Sequence, residues 1–586
     1  MKRLVAAVLS LALCAGGALA ADSRKVLRLA IPDIETLDPQ QYAESPSFDV
    51  LRAIYEGLYQ FDYLAKPPRL TPVTATALPE ITNDGRTWTM HVQPGIYFTP
   101  DPAFKGRKRE LTAEDYVYSL KRWLDPNSKR GGAPITAAAI VGGREALDAA
   151  KRTGRWDPDR PIDGLRALDR YTLQLQLTEA NYPVIEGYVT LGAVAREVVE
   201  ARGGDLRSYA VGTGAFRLKE IRRGSRITLE ANPDYRGRPF PSSSLASDQA
   251  LEASMRGGKF PRVAEIQLDV IEEESARLLE FDRGNLDAIV LRSEIATRLL
   301  AGDALNPEQK ARGVTWQRVP EPFTTFFYFN LRDPALGGMD PARIALRRAV
   351  SLAFDRDEMV RVIYAGQALP ANQLVPPDVA GYDRDMPRPA HDPAAARALL
   401  DRYRYRIGGD GFRSAPDGSP LTLTLLLRSG GIAREVQTLF RKNLQAIGLR
   451  TAFQVSPFQD AIKDLVAGHY QIWFGGFGGN PTGQGILAQL YSKSSPQINV
   501  SQFSLPEYDA AMDRFMRTND PAQQRAAARA MSDIARAYAP MVPVVFRLEN
   551  HFAQPWLMGY RPNRFDTFWQ FLDIDLAKLP ASRKAQ

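Results

Sequence analysis

The sequence predicts an α/β protein built from more than one domain, and three observations support this. The chain has 586 residues, whereas a single hydrophobic core stops growing at about 250–300 residues. Strand-like alternation, as at 171–177, is interspersed with apolar residues at helical spacing. A helical run that ends at a glycine and leads into an apolar strand occurs twice, at 273–291 and 461–474. Its recurrence in both halves fits two lobes that are built alike.

The first twenty residues have the features of a cleaved secretory signal. A basic start precedes an apolar core at 4–13, which is too short to span a membrane. Ala18 and Ala20 place small residues at positions −3 and −1 before Ala21. We therefore expect a signal peptide at 1–20 and export of the mature chain to the periplasm.

The only cysteine, Cys14, lies within this predicted signal. A lipoprotein signal has a small residue before its cysteine, whereas Leu13 stands there, so we expect no lipid anchor. The mature chain then has no disulfide and no thiolate chemistry. Basic and acidic side chains are interleaved despite the net charge of +8, which indicates a solvated surface and no nucleic-acid partner.

The mature chain begins with an alternating strand at 25–31, a loop at 35–42 and a helical pattern at 47–59. Loops that follow strands in α/β sheets tend to face ligands. Tyr42 is therefore a candidate ligand contact. Packing of its ring on the base of its own loop is the alternative interpretation.

The most informative stretch is 79–126. A turn at Asn-Asp-Gly precedes a predicted strand at 86–92, and a Pro-Gly turn leads to a short return strand at 96–98. Leu-Thr-Ala-Glu-Asp then begins a helix, in which Thr112 caps free backbone N–H groups and Asp115 reaches back to the cap.

Further motifs follow downstream. Gly-Thr-Gly-Ala-Phe at 212–216 lacks the third glycine and the helix of a dinucleotide-binding loop. We interpret it as a backbone turn near a cleft between domains, with Thr213 as a candidate contact. An aromatic strand at 323–330 is followed by a helix at 343–353, and Gly-Gln-Ala-Leu-Pro-Ala occupies 366–371.

Together, these motifs resemble the peptide/nickel family of extracellular solute-binding proteins, family 5, which serve ATP-binding-cassette (ABC) importers. The resemblance covers nearly all of 25–560, with Ala215 in place of the family's usual proline. It implies an α/β fold of the periplasmic binding protein type II kind, with two lobes, an extra subdomain, hinge strands and a central cleft. The implied domains are domain I at 21–66, 206–318 and 546–586, domain II at 67–205 and domain III at 319–545.

The sequence shows no catalytic constellation. No Gly-x-Ser-x-Gly, Ser-x-x-Lys, His-Glu-x-x-His or P-loop pattern occurs. The four histidines are far apart and do not have the spacing of metal ligands. We therefore expect a binding protein with no metal and no cofactor, and not an enzyme.

The resemblance also points to a ligand-binding stretch at 473–481. Peptide-binding relatives have Gly-Trp-x-x-Asp here, and the aspartate binds the terminal ammonium of the ligand. Gly476 and Phe477 align with Gly-Trp, whereas Asn480 replaces the aspartate. A neutral side chain provides no counter-charge, so this disfavours peptides with a free amine. The alternative is that Asn480 only shapes a turn before Pro481.

Other candidate ligand contacts flank this stretch. Arg428 and Arg434 follow a predicted strand and begin the next helix, and their guanidinium groups suit a ligand carboxylate. Solvation of both at the surface is the alternative. Tyr42, Trp473 and Phe477 can stack on a ligand, although Trp473 lies in a strand and core packing is its alternative role.

The sequence thus predicts the periplasmic substrate-binding component of an ABC importer. We expect it to act as a monomer, to capture a peptide or peptide-like solute in the cleft, and to deliver it to an inner-membrane permease. A periplasmic hydrolase on the same scaffold is one alternative, which a turnover assay on peptide and ester substrates separates. A chaperone-like protein that binds no small ligand is the other.

Overall fold

The computed structural model describes residues 21–42, 44–128, 139–478, 481–496 and 498–584. The predicted signal and Asn480 lie outside the described residues. Within the described ranges, no helix is both long and apolar enough to cross a membrane.

The strands fall into groups along the chain. The first strands are β1 (Asp22–Ile31), β2 (Tyr59–Phe61), β3 (Leu70–Pro72), β4 (Glu80–Thr82), β5 (Thr87–His91), β6 (Leu165–Ala167) and β7 (Thr172–Gln176). The next are β8 (Phe216–Arg222), β9 (Arg226–Ala231), β10 (Val263–Val270), β11 (Ala288–Leu291), β12 (Leu300–Ala301) and β13 (Ala304–Leu305). The last are β14 (Thr315–Phe329), β15 (Ala368–Pro370), β16 (Thr422–Arg428), β17 (Arg450–Ser456), β18 (Ile472–Gly478), β19 (Met541–Ala553), β20 (Leu557–Met558) and β21 (Asp573–Ile574).

The α-helices alternate with these strands. Before β14 they are Ser45–Ile54, Ala113–Trp123, Gly143–Thr153, Tyr182–Val189, Arg196–Ala201, Gln249–Met255, Glu274–Asp282, Ser293–Thr297 and Pro307–Ala311. After β14 they are Pro341–Ala353, Arg356–Val362, Pro393–Arg402, Ala433–Gln445, Phe458–Ala467, Gln484–Leu487, Pro506–Met516, Pro521–Tyr538 and Ala581–Lys584. Short 3₁₀ helices lie at Pro102–Phe104, Ala246–Asp248, Ala488–Leu490, Ser492–Ser494 and Trp569–Phe571.

Three sheets organise the chain. One has the order β1-β10-β9-β8, in which β1 and β10 run parallel. A second, antiparallel sheet has the order β4-β5-β7-β6 and is formed by the segment between β3 and β8, which we call the inserted subdomain. The largest has the order β11-β19-β14-β18-β16-β17, with β15 also paired to β19.

The largest sheet extends through both lobes because β14 and β19 are long. Their early pairs, Thr315–Pro320 with Leu548–Ala553, lie beside β11, and their later pairs lie beside β18. The register between the two strands shifts between Pro320 and Thr324. We call 324–546 the second lobe and the remainder the first lobe. The boundaries predicted at 318/319 and 545/546 therefore fall inside two continuous strands.

Several sequence predictions are confirmed. The strand predicted at 288–291 is β11, and the repeated helix–glycine–strand unit forms Phe458–Ala467, Gly468 and β18. Asp115 accepts hydrogen bonds from the Thr112 backbone N–H and hydroxyl at 2.8 and 2.9 Å. The aromatic side chains near the C-terminus also pack into the core.

Two predicted elements are wrong in extent. The helix predicted at 47–59 ends at Ile54, and Tyr55 is extended. The chain must leave the helix here because Gly57 packs against the backbone of Thr190, where a Cβ would lie 2.7 Å away. The return strand predicted at 96–98 forms only one bridge, between Tyr97 and Glu110.

Candidate functional site

Strand β18 contains the glycine-rich stretch that the sequence singled out, and its glycines make room for aromatic rings. A Cβ at Gly475 would lie 2.1 Å from the Trp473 ring, and one at Gly476 would lie 2.0 Å from the Phe323 ring. Since side chains alternate along a strand, Trp473 and Phe477 share one face of the sheet. Gly476 therefore accommodates a ring of the neighbouring strand.

One edge of β18 is largely open. Its other edge pairs along its whole length with β14, from Phe323–Gly478 to Phe329–Ile472. On the open side, β16 pairs with β18 only at Ile472 and Trp473. Among the described residues, no strand pairs with this edge of 474–478. Its backbone N–H and C=O groups can therefore receive an extended chain.

The strand ends beside this open edge carry basic residues. Strand β16 diverges from β18 after Leu426 and ends at Arg428, and Arg434 lies in the first turn of the next helix, Ala433–Gln445. Both arginine side chains are exposed. Within the described residues, neither guanidinium forms an ion pair. They are thus free to bind an anion.

The two aromatic candidates in β18 are partly committed to the core. Trp473 is half-buried, with its ring centre 5.7 Å from that of Phe326 and nearly perpendicular to it. Phe477 is also half-buried and lies against Gly485, where a Cβ would approach its ring to 2.6 Å. The core role of Trp473, which the sequence left as an alternative, is thus present in the structure.

The first lobe contributes a cavity around Tyr42. The Tyr42 ring lies 5.8 Å from that of Phe48, and the Arg52 guanidinium lies 5.5 Å from the Phe48 ring centre. Arg52 also donates to both carboxylate oxygens of Asp566, with an Nε–Oδ1 distance of 2.7 Å. Tyr42 therefore lines a cavity, and its ring packs against the helix that follows its loop. The sequence did not single out Arg52, because its partner Asp566 lies more than 500 residues away along the chain.

A second cavity lies where the two lobes meet the hinge. It is lined on the first-lobe side by Tyr63, Lys66, Arg561, Arg564 and Phe565, at the hinge by Val319, Pro320 and Pro322, and on the second-lobe side by Pro377 and Asp378. The Lys66 and Asp378 side chains approach to 3.6 Å across it. The cavity marks the cleft between the lobes.

Thr213 has a structural partner. Its side chain is buried, with 3% exposed, and its hydroxyl donates to Glu56 Oε2 at 3.0 Å. Gly212 and Gly214, on either side, pack against the end of the helix Ser45–Ile54, where a Cβ at Gly212 would lie 2.0 Å from the Ile54 carbonyl oxygen. The glycines allow this close backbone approach, and Thr213 helps to hold it.

A buried charge cluster on β19 adjoins the hinge cavity. Glu549 is fully buried and forms ion pairs with Arg292 and with Arg564, whose Nε lies 2.8 Å from Oε2. Burial alone would raise the pKa of Glu549, but Arg564, His551 and Arg292 outweigh it and hold that pKa below its ordinary value. His551 Nδ1 and the Tyr560 hydroxyl form a hydrogen bond of 2.8 Å. Burial lowers the pKa of His551. The cluster joins the hinge strand to the C-terminal segment of the first lobe.

The comparisons with known proteins agree with this geometry. The family model described as bacterial extracellular solute-binding proteins, family 5 Middle, matches residues 69–497. The chain belongs to this family.

The matching relatives and solved structures align with almost the whole of this chain. Di/tripeptide-binding protein 2 of Pseudomonas aeruginosa is 24% identical over 578 residues, which are 94% of this chain and 95% of that protein. The periplasmic binding protein DppA from Helicobacter pylori, in complex with peptide STSA, has a TM-score of 0.68 at 19% identity, covering 94% of this chain and 99% of its own. The Escherichia coli murein tripeptide binding protein MppA has a TM-score of 0.66 at 23% identity, covering 95% and 99%.

These likenesses confirm the predicted fold class, an α/β periplasmic binding protein of type II with two lobes. The chain is a solute-binding protein of family 5, a family of binding proteins and not of enzymes. Among the described residues of this chain, no three His, Cys, Asp or Glu side chains are grouped to hold a metal ion.

The lobes of this family 5 protein also touch at the inserted subdomain. Gln484 of the second lobe donates to Asn181 Oδ1 at 3.3 Å, and the Asn181 amide lies 3.5 Å from Met516 Sδ. Nearby, Arg517 and Glu179 approach to 3.9 Å. Sequence patterns gave no signal for these contacts, because each joins residues that are distant along the chain.

Proposed function

We propose that this family 5 protein binds a short peptide or peptide-like solute in the cleft and delivers it to the permease of an ABC importer. The observation that carries the proposal is the open edge of β18. An extended peptide that adds to a strand edge gains main-chain hydrogen bonds that do not depend on its side chains. Such recognition suits a transporter that accepts peptides of varied sequence.

The ends of the solute require additional contacts. Arg428 and Arg434 lie beside the open edge with exposed guanidinium groups and no ion pair within the described residues. We assign them to the carboxylate of the solute, which a guanidinium can bind through two parallel hydrogen bonds. Tyr42 and Phe477 supply aromatic surface from the two lobes.

The names of the relatives support a peptide as the solute. They include a di/tripeptide-binding protein, a murein tripeptide binding protein and a protein solved in complex with the peptide STSA. The relatives described as periplasmic support the same location for this chain, after removal of the predicted signal at 1–20. We propose that it works there as a monomer whose closed form the permease recognises.

The proposal is tested by native mass spectrometry of the protein purified from the periplasm, followed by denaturing release of any bound mass. We expect a peptide or peptide-like molecule that carries a carboxylate. A bound molecule with no amide backbone would contradict the proposal, because the open strand edge would then have no role in recognition. If no bound mass is released, the protein is incubated with a synthetic tripeptide library. Retention of tripeptides then supports the proposal, and retention of none contradicts it.

A further inference from the structure

The helix Tyr182–Val189 of the inserted subdomain has one face in the protein core. Ile185 is fully buried, and the Tyr188 ring packs edge-on against Trp123 with ring centres 5.4 Å apart. Successive residues of a helix are rotated by about 100°. Glu186 therefore lies on the flank of this buried face.

Two contacts relate the ends of this helix to the first-lobe cavity and to the second lobe. Thr190, one turn after Glu186, donates its hydroxyl to the Glu186 carbonyl at 2.8 Å and lines the cavity around Tyr42. Residues four apart lie on the same side of a helix. Just before the helix, Asn181 accepts the hydrogen bond from Gln484 of the second lobe. Glu186 thus lies in a helix whose two ends reach the first-lobe cavity and the point where the second lobe contacts the subdomain.

The Glu186 carboxyl is enclosed but has no partner. Its side chain is half-buried, and within the described residues no hydrogen bond or ion pair involves its carboxyl oxygens. Burial raises its pKa to about 8. Arg52, the cation among the side chains that line the cavity, is engaged by Asp566 and by the Thr190 carbonyl. An unpaired carboxyl in such an environment favours the arrival of a cation.

We propose that Glu186 binds the cationic amine of the solute. Strand β18 has no acidic residue in 472–478, so the counter-charge for an amine comes from the inserted subdomain and not from the strand that receives the peptide backbone. The ligand class is then a peptide with a free amino group. This inference rests on the proposed function, because it concerns the same cleft.

The test compares two tripeptide libraries with uncharged side chains, one with free amino termini and one with acetylated termini. The protein is first unfolded and refolded to remove bound solute, and retained peptides are counted by native mass spectrometry. We expect the unaltered protein to prefer free amines by at least about tenfold, the scale of one charge-assisted hydrogen bond. Glu186→Gln removes that preference, whereas Glu186→Asp keeps part of it.

Calorimetry of one retained peptide supplies a second readout. The free Glu186 carboxyl is mostly protonated at pH 7, and an ammonium stabilises its ionised form, so binding releases up to about one proton per peptide. The heat then depends on the ionisation enthalpy of the buffer. Glu186→Gln abolishes the part of this dependence that the carboxyl supplies. Glu114→Gln, an exposed acid on another helix of the subdomain, is the matched control and leaves both readouts unchanged.

The outcomes separate the two proposals. Equal retention of both libraries, unchanged in Glu186→Gln, overturns the role of Glu186 and leaves the peptide-binding function standing. Retention of neither library by the unaltered protein overturns the peptide-binding function, and the role of Glu186 with it. Preferential retention of free amines that Glu186→Gln alone removes supports both.

Discussion

At the scale of single residues, glycines set how closely two backbones can approach. Gly212 packs on the Ile54 carbonyl, which leaves no room for a methyl group, whereas a Cβ at Gly187 would meet nothing within 4 Å. Both residues lie in the first lobe, and Gly187 lies inside a helix. The same residue type therefore has opposite consequences at the two positions.

Gly212→Ala should lower the free energy of unfolding by about 1–3 kcal/mol, the range for overpacking a closely packed site. Gly187→Ala should raise it by about 0.5–1 kcal/mol, because alanine restricts the unfolded chain and favours the helix. Denaturant unfolding monitored by circular dichroism measures both. Equal effects of the two substitutions would contradict the close approach at Gly212.

The two free arginines also act as individual residues. The double substitution Arg428→Gln with Arg434→Gln should weaken binding of a retained tripeptide at least about tenfold, because a charged hydrogen-bond partner is lost. Stability should change little, since both side chains are exposed and unpaired in the described structure. Titration calorimetry and thermal unfolding measure the two effects.

Arg525→Gln provides the control for this experiment. Arg525 is likewise exposed and lies in the helix Pro521–Tyr538. Its substitution removes a positive charge without changing the surroundings of β18. If it weakened binding as much as the double substitution, the effect would come from overall charge and not from a carboxylate site.

At the scale of elements, β19 joins the two lobes and also carries buried charge. Glu549 and His551 lie on one face of it, since residues two apart in a strand point the same way. Arg564 of the C-terminal segment and Arg292 surround Glu549. The position of the hinge strand thus depends on groups that titrate.

Acid should destabilise this element, and the sign follows from the two pKa shifts. A carboxyl whose pKa lies below its ordinary 4.5 contributes stability that is present above pH 4.5 and is lost as the pH falls. An imidazole whose pKa lies below 6.5 likewise contributes stability that is lost as the pH falls below 6.5. Of these two groups, His551 is the one whose ordinary pKa lies between pH 7 and pH 5, whereas Glu186, whose pKa burial raises to about 8, contributes in the opposite sense over this range.

His551→Gln should therefore reduce the loss of melting temperature between pH 7 and pH 5. Differential scanning calorimetry at several pH values measures the melting temperature of the variant and of the unaltered protein. His469→Gln removes an exposed histidine of the second lobe and should leave the pH dependence unchanged. An unchanged slope in His551→Gln would show that other groups govern the acid response.

At the scale of the whole molecule, side chains of the described residues also connect the lobes outside the hinge strands. Lys66 and Asp378 meet beside the hinge, and Gln484 meets Asn181 at the inserted subdomain. Ligand contacts to both lobes would add to these and favour the closed form. Binding and closure are then coupled.

A retained peptide at a hundredfold excess over its Kd should raise the free energy of unfolding by about 2.7 kcal/mol.

Gln484→Ala should weaken binding without destabilising the free protein, because it removes a contact that needs both lobes together. Thermal unfolding with and without peptide measures both effects, and X-ray scattering reports compaction. Gln523→Ala, an exposed glutamine in a helix of the same lobe, is the control. A loss of stability in the peptide-free Gln484→Ala variant would contradict the expectation that Gln484 acts only in binding.

Local patterns were sufficient for much of the fold. The strand at 288–291, the Asp115 capping interaction and the helix–glycine–strand units all depend on neighbours within a few residues. The prediction at 47–59 was wrong in extent because the helix ends where Gly57 meets Thr190, a contact across more than a hundred residues. Short-range spacing carries no information about such contacts.

The sequence by itself determined the family, the α/β class and the chemistry of the candidate contacts, because motifs and side-chain types can be read locally. Only the tertiary structure decided which groups meet. It engaged Thr213 with Glu56 and Arg52 with Asp566, and among the described residues it left one edge of β18 open where β16 diverges and left Glu186 unpaired. Pairing of charges and strand edges depends on long-range approach in space, which the order of residues does not express.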